Sequence, residues 1–261
     1  MTDFSHLHTF VIPAYKESPY LEGCLQSVTS QTAKSSVLIT TATPNPYIQG
    51  LADKYGVRVI TNPNGGGIGK DWNFAFQQAT TPYVTLAHQD DVYAIDFTEK
   101  HVPAFEKHKS AKPLMAFSRS TVYKDNVAAV PFKNVVRWLL VMPFHFKRCI
   151  TSKSIKKSIL LFSNSISCPG VCYVKSNLPG FTFDNEAKYI LDWKAWYDMS
   201  QREGAFIYLN FSSHIHREHA ESATSVAGLK TLQEEELSLL TQLWGNTFMP
   251  KIITKLLGAA K

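Results

Sequence analysis

The sequence predicts an α/β fold on a mostly parallel sheet, and three observations carry that prediction. The first hundred residues alternate short β-branched or aromatic runs with helical patterns, the signature of successive βα units. Turn-forming residues separate the runs at the spacing such units require. The chain has 261 residues, 44 % of them hydrophobic and 18 % charged, which suits one large domain with a core of ordinary size.

Residues 9–12 form the first predicted strand. Ser18 is placed to cap a helix with Pro19 in its first turn, after which Leu21, Leu25 and Val28 recur at helical spacing. A second strand is predicted at 37–40, a helix at 48–55, a third strand at 57–60 and a helix at 71–78, entered through a loop at 62–69. The fourth strand is 83–86. Beyond residue 110 the pattern is less regular, with a strand at 114–118, a polar segment "SNSISCPGVCYVK", a helix over about 186–203, a strand at 206–210 and an amphipathic helix at 229–244.

Several classes are excluded by composition. Cys24, Cys149, Cys168 and Cys172 are few and scattered, which fits buried reduced thiols better than a disulfide framework or a four-cysteine zinc site. No apolar run approaches the roughly 20 residues of a membrane-spanning helix. A cytoplasmic location is therefore expected. The net charge of +6 is concentrated: Lys133, Arg137, Lys147, Arg148, Lys153, Lys156 and Lys157 share the stretch 133–157 with no acid, interleaved with Trp138, Leu139, Met142, Phe144 and Phe146. That pattern suits a segment lying on an anionic membrane surface, or else a buried helix flanked by solvated lysines. No nucleic-acid-binding motif accompanies it.

Four segments carry chemistry. "TLAHQDDVYAID" places Asp90 and Asp91 just past the fourth strand, and in a parallel sheet ligands bind at the carboxyl ends of the strands. Adjacent carboxylates repel unless a cation lies beside them, so the pair suits a hard divalent ion; a solvated turn with Asp91 capping a helix is the alternative. "TNPNGGGIGKDWNFAF" crowds glycines before a helix starting near Lys70, suiting either a phosphate or a flexible βα turn. In "ILDWKAW", Asp192 interrupts an apolar helical face, where desolvation raises a carboxyl toward the range of a general base; pairing with Lys188 or Lys194 on a helix surface is the alternative. "HIHREHAESATS" gathers His214, His216, Arg217 and His219, able to hold a metal or a diphosphate or to form a solvated polar loop.

In order and spacing these segments resemble the family 2 glycosyltransferases, inverting enzymes of the GT-A fold that use nucleotide-diphosphate sugars, over roughly residues 10–224. "VIPAYKES" resembles the family's Pro-x-Tyr-Asn-Glu with Pro13, Tyr15 and Glu17, and Lys16 in place of the Asn. The glycine segment resembles its Asn-x-Gly-x-x-x-Ala-Arg-Asn loop, keeping Asn64 and Asn73 but with Trp72 where Arg is usual. "LAHQDDVY" resembles Leu-Asp-x-Asp-Asp, with His88 replacing the first Asp. Asp192 matches the second acid of a Glu-Asp motif whose Glu is Leu191 here, and "HREHAESAT" resembles Tyr-Arg-x-His-x-x-Ser-x-Ser. Where the family carries Asp-Asp-Gly-Ser after its second strand, this chain has "ITTATPN", with Thr40, Thr41 and Thr43.

The resemblance implies a GT-A glycosyltransferase domain over 1–225, with a donor half to about 110, an acceptor half from 111, and a helical extension over 226–261. It implies Asp192 as the catalytic base, Mn²⁺ or Mg²⁺ on Asp90 and His219, and donor contacts from Pro13, Tyr15, Glu17, Thr41, Lys70, Asn73, Asp91 and Arg217. The implied partners are a nucleotide-diphosphate sugar, with UDP-hexose the expectation, and a lipid-linked glycan acceptor in bacterial polysaccharide biosynthesis. Peripheral contact with the inner face of the cell membrane would follow. With His88 and the threonines replacing acids, a GT-A-like binding module without catalysis is the alternative.

Overall fold

The computed structural model describes residues 2–124, 127–129, 132–218 and 228–259. In chain order the N-terminal part comprises β1 (His8–Ala14), α1 (Leu21–Thr29), β2 (Ser36–Thr41), α2 (Pro46–Tyr55), β3 (Arg58–Thr61), α3 (Ile68–Gln78), β4 (Tyr83–Leu86), β5 (Val92–Tyr93) and α4 (Phe97–Lys107). The remainder comprises β6 (Pro113–Lys124), β7 (Val127–Ala129), α5 (Phe132–Leu140), α6 (Met142–Phe146), β8 (Cys149–Ile150), α7 (Lys153–Ser158), β9 (Val171–Val174), α8 (Leu191–Ser200), β10 (Ala205–Glu218), α9 (Leu229–Trp244) and α10 (Met249–Ala259).

Among the described residues the main sheet runs β8-β10-β6-β9-β4-β1-β2-β3, with β5 on β10 and β7 on β6. Strands β3, β2, β1 and β4 are mutually parallel. β9 is antiparallel to both β4 and β6. This is the mixed, mostly parallel α/β architecture that the sequence predicts. Because β1 leads to β2 on one side and lies beside β4 on the other, strand order reverses between β1 and β4. In a parallel sheet such a reversal leaves a crevice outside the carboxyl ends of the two strands.

The central strands β1, β4 and β9 are buried on both faces, as the interior of such a sheet requires. Along β1, Phe10 and Ile12 face one core layer, shared with Leu25 and Val28 of α1, Leu51 of α2 and Phe105 of α4. Val11 faces the other, with Phe76 of α3, Trp193 and Trp196 of α8, and Leu239 and Leu240 of α9. Trp193 and Trp196 are almost fully buried, and truncating such a side chain costs about 3–5 kcal/mol. α8 is therefore fixed on the sheet, and with it Asp192.

Three local expectations need correction. Helix α1 begins at Leu21 with no side-chain cap; Ser18 bonds the Tyr20 N–H at 3.3 Å and also reaches Asp90. The helix expected over about 186–203 is confined to Leu191–Ser200. Residues 186–190 are held irregular by two acids: Asp184 accepts the N–H groups of Glu186 and Ala187, and Glu235 of α9 accepts those of Lys188, Tyr189 and Ile190. Within the polar segment "SNSISCPGVCYVK", the chain forms β9, a fully buried strand between β4 and β6. Of the four free cysteines, Cys149 is only half-buried.

Candidate active site

The floor of the crevice is the turn after β4. Asp91 is 1 % exposed, and its Oδ1 accepts two hydrogen bonds from β10: the Arg217 N–H at 3.1 Å and the His216 Nδ1–H at 3.2 Å. Burial pushes this carboxyl up, but the His216 hydrogen bond and the imidazoles of His216, His214 and His88 outweigh it. Asp91 therefore stays below its ordinary value. Asp90 is half-buried; Ser18 Oγ–H donates to its Oδ1 at 3.4 Å, and Arg217 Nη1–H to its carbonyl at 3.3 Å.

β10 reaches this floor because of its irregular register. It runs parallel to β6 with shifts between Leu209 and Ser212 and between Ser212 and His214, which carry 214–217 past the end of β4. Alternation along the strand then separates the side chains of its basic cluster. The Arg217 guanidinium lies 5.3 Å from the Tyr20 ring and against Gly23 of α1. His214 is buried between Ser213 Oγ and Ser167 Oγ, each at 3.0 Å, and burial lowers its pKa to about 3. It is a neutral core group. His219 lies outside the described residues.

The opposite wall is α8. Asp192 Oδ1 accepts its neighbour Trp193's N–H at 2.8 Å, and Oδ2 accepts Asn164 Nδ2–H at 2.6 Å. Burial raises its pKa, opposed by Asn164, the Trp193 N–H, Arg137 and His88. Lys194 pairs with Asp184 instead. His88 and Asp192 influence one another's ionisation, and Asp192 and Asp91 both raise the Cys168 thiol, which ties the two sides into one site. The His88 ring lies 5.0 Å from that of Trp72, tilted by 39°, and desolvation lowers its pKa. Its Nε2 and Asp91 Oδ2 are buried without a hydrogen-bond partner.

The remaining predicted residues take varied positions. Tyr15 is 52 % exposed at the crevice rim, and its backbone is bracketed by Gln89: Oε1 accepts its N–H at 2.9 Å and Nε2–H donates to its C=O at 3.3 Å. Pro13 is half-buried at the end of β1, and Glu17 is exposed. Thr41 Oγ1 accepts the Thr43 N–H, and Thr43 Oγ1 accepts the Lys16 N–H at 2.7 Å, holding Lys16 at φ 54°. The threonines that replace the usual acids thus stabilise a strained turn beside Tyr15. Lys70 is exposed in the first turn of α3. Asn73 lies apart from Asp90 in its bonding: its amide brackets the backbone of Phe183 and reaches Asn185 Oδ1 at 3.0 Å.

The glycine segment also has a packing explanation. A Cβ on Gly65 would stand 2.1 Å from Ala42 Cβ, and one on Gly69 would stand 2.3 Å from the Asp184 carbonyl oxygen. Close approach of this chain to itself requires both glycines. The basic stretch divides similarly. Val135, Trp138, Leu139, Met142 and Phe146 are exposed, Phe146 by 87 %. Arg137, however, turns inward toward Asp192, and Lys156 is fully buried, donating to the carbonyls of Arg202 and Gly204 at 2.8 Å. Arg137 and Asn164 are the site residues that sequence reasoning missed. Arg137 was concealed among surface cations, and a lone Asn in a polar segment gives no signal.

A divalent metal would rest on Asp90, whose neighbour Asp91 keeps Oδ2 without a protein donor. Among the described residues no group of three or more His, Cys, Asp or Glu is arranged to hold an ion. One or two carboxylates nevertheless fit Mg²⁺ or Mn²⁺, which complete their shells with water and phosphate oxygens.

The glycosyl transferase family 2 profile matches residues 9–142, spanning β1 through the site floor to α5. The chain belongs to this family. It is a glycosyltransferase, and its fold is that of solved structures in the GT-A class. TarS 1-349 of S. aureus is 16 % identical with a TM-score of 0.62, over 97 % of this chain and 70 % of that one. The same protein in complex with UDP-GlcNAc gives 18 %, 0.67, 93 % and 67 %. Glucosyl-3-phosphoglycerate synthase from Mycobacterium tuberculosis, in complex with Mn²⁺, UDP-Glc and phosphoglyceric acid, gives 14 %, 0.59, 91 % and 80 %. No curated protein sequence matches the chain. Among the described residues of the transferase, no helix is long and apolar enough to cross a membrane.

Proposed function

We propose that this glycosyltransferase is inverting and metal-dependent, moving a hexose from a UDP-sugar to a hydroxyl of a lipid-linked glycan in bacterial polysaccharide synthesis. The single observation that carries the reading is a half-buried carboxylate with a raised pKa, Asp192, within electrostatic range of His88 beside the Asp90–Asp91 turn. Asp192 takes the proton from the acceptor hydroxyl, which attacks the anomeric carbon opposite the leaving diphosphate. Arg217, with Lys70 at the start of α3, stabilises the charge that develops on that leaving group. Residues 1–110 hold the donor and 111–225 the acceptor. Asp90, with His219, would hold a divalent metal, which would supply further neutralisation of the diphosphate. The neighbours' complexes with UDP-GlcNAc and with Mn²⁺ and UDP-Glc support this choice of donor class and ion.

The exposed apolar side chains of α5 and α6, alternating with Lys147, Arg148 and Lys157, support a peripheral contact with an anionic membrane. Sedimentation with anionic vesicles at low salt should carry the protein down, and absence of binding would remove this part of the reading. The reading as a whole is tested by hydrolysis of UDP-glucose and UDP-GlcNAc with and without Mn²⁺. Turnover that requires the ion and is lost in Asp90→Ala is expected. Binding of both donors without turnover would instead identify a binding module.

A further inference from the structure

We propose that Asn164 is the positioning residue of Asp192, and that Arg137 of α5 holds Asn164 in place. The inference rests on the reading of Asp192 as the base.

A base on a helix start must meet two conditions that its own sequence neighbours do not secure. Its carboxylate must present a fixed oxygen to the acceptor hydroxyl, and it must be ionised although partly desolvated. Asn164, in the connection between α7 and β9, addresses both. Its Nδ2–H donates to Asp192 Oδ2 at 2.6 Å while the Trp193 N–H engages Oδ1 at 2.8 Å. With one donor on each oxygen the carboxylate plane is set, and each oxygen keeps a lone pair for a proton. An amide donor has no charge to give up, so the contact does not change with pH. Hydrogen bonding to the ionised form opposes the effect of burial, and at Asp192 the contribution of Asn164 is the largest of the opposing ones.

Asn164 is itself restrained from α5. Arg137 Nε–H donates to the Asn164 carbonyl at 3.0 Å, and the guanidinium is desolvated there with Asp192 and Glu218 as its counter-charges. The family profile ends at residue 142, so Arg137 lies within it and Asn164 beyond it. The other titratable groups that act on Asp192 or are acted on by it are His88 after β4, Cys168 before β9 and Tyr173 within β9. None of these donates a hydrogen bond to its carboxylate.

The test is the titration of Asp192 itself, which needs no knowledge of the acceptor. In protein labelled with ¹³C-carboxyl aspartate, the Asp192 resonance is assigned by its loss in Asp192→Asn. Asn164→Ala should raise its midpoint by about one pH unit, as loss of a hydrogen bond to a carboxylate does. Asn164→Asp keeps the side-chain size and leaves the Arg137 contact to the backbone carbonyl intact. It places a second carboxylate against the first, so the pair should titrate in two steps, the upper one higher still. A midpoint unmoved in both variants overturns the positioning role. Failure of the underlying reading looks different: Asp192→Asn would then retain full turnover, whatever the titrations show.

Discussion

Asp91, on the floor of the crevice, and Asp192, on its α8 wall, are held by matching means, yet desolvation leaves them in opposite states. Each accepts one backbone N–H and one side-chain N–H. In each, desolvation is the largest single influence. The difference is the side-chain donor. Asp91 accepts from the His216 imidazole, whose hydrogen bond is the largest influence opposing burial, and its pKa falls; Asp192 accepts from an amide, and its pKa rises. Hydrogen-bond count therefore does not decide whether a buried carboxylate is an anchor or a base. The kind of donor, imidazole or amide, separates the two.

The largest expected effect breaks the comparison at Asp192. Asp192→Asn preserves shape but removes the proton acceptor, and turnover should fall by roughly 10²- to 10⁴-fold, measured on whichever donor the wild type consumes. Full retention of activity would show the two carboxylates to be equivalent bystanders. On the floor, Asp91→Ala should cost stability on the order of 3 kcal/mol, since it leaves the part-buried Arg217 N–H and His216 Nδ1–H, which both rely on Oδ1, without their acceptor. Urea unfolding checks this, and a change below about 0.5 kcal/mol, the range of ordinary surface substitutions, would remove the anchor role.

The smallest effect sharpens the contrast through its sign. Because the folded pKa of Asp192 is raised, its ionised form opposes folding above that pKa, and the penalty fades as pH falls from the folded pKa towards the unfolded value near 3.8, below which it is absent. Asp192→Asn should consequently raise the melting temperature by a few degrees at pH 7 and by less near pH 4. A lower melting temperature at pH 7 would mean that Asp192, like Asp91, is stabilised in its charged form.

Much of this architecture was legible. Strand β4 and helix α9 have the predicted bounds, and β1, β2 and β3 differ from prediction by two residues or fewer at either end. Buried parallel strands are short apolar runs, and the helices that cover them repeat at helical spacing. Strand β9 escaped notice because only four residues, "VCYV", carry its signal after a Pro-Gly pair. The start of α8 was misjudged because the periodicity of Tyr189, Trp193 and Trp196 continues the helix backward. Glu235, forty-five or more residues away, draws the preceding N–H groups out of it.

By itself, the sequence determined the parallel sheet, the family, and the chemical kinds of residue that gather at the carboxyl ends of the strands. Periodicity and motif order are local properties, and they survive in a one-dimensional reading. Only the tertiary structure decided which residues act on which. It turned Arg137 out of a row of surface cations toward Asp192, assigned Gly65 and Gly69 to backbone packing, and gave one carboxylate an imidazole and the other an amide. A side chain's ionisation depends on what surrounds it within a few ångströms, and those neighbours come from elements far apart in the chain.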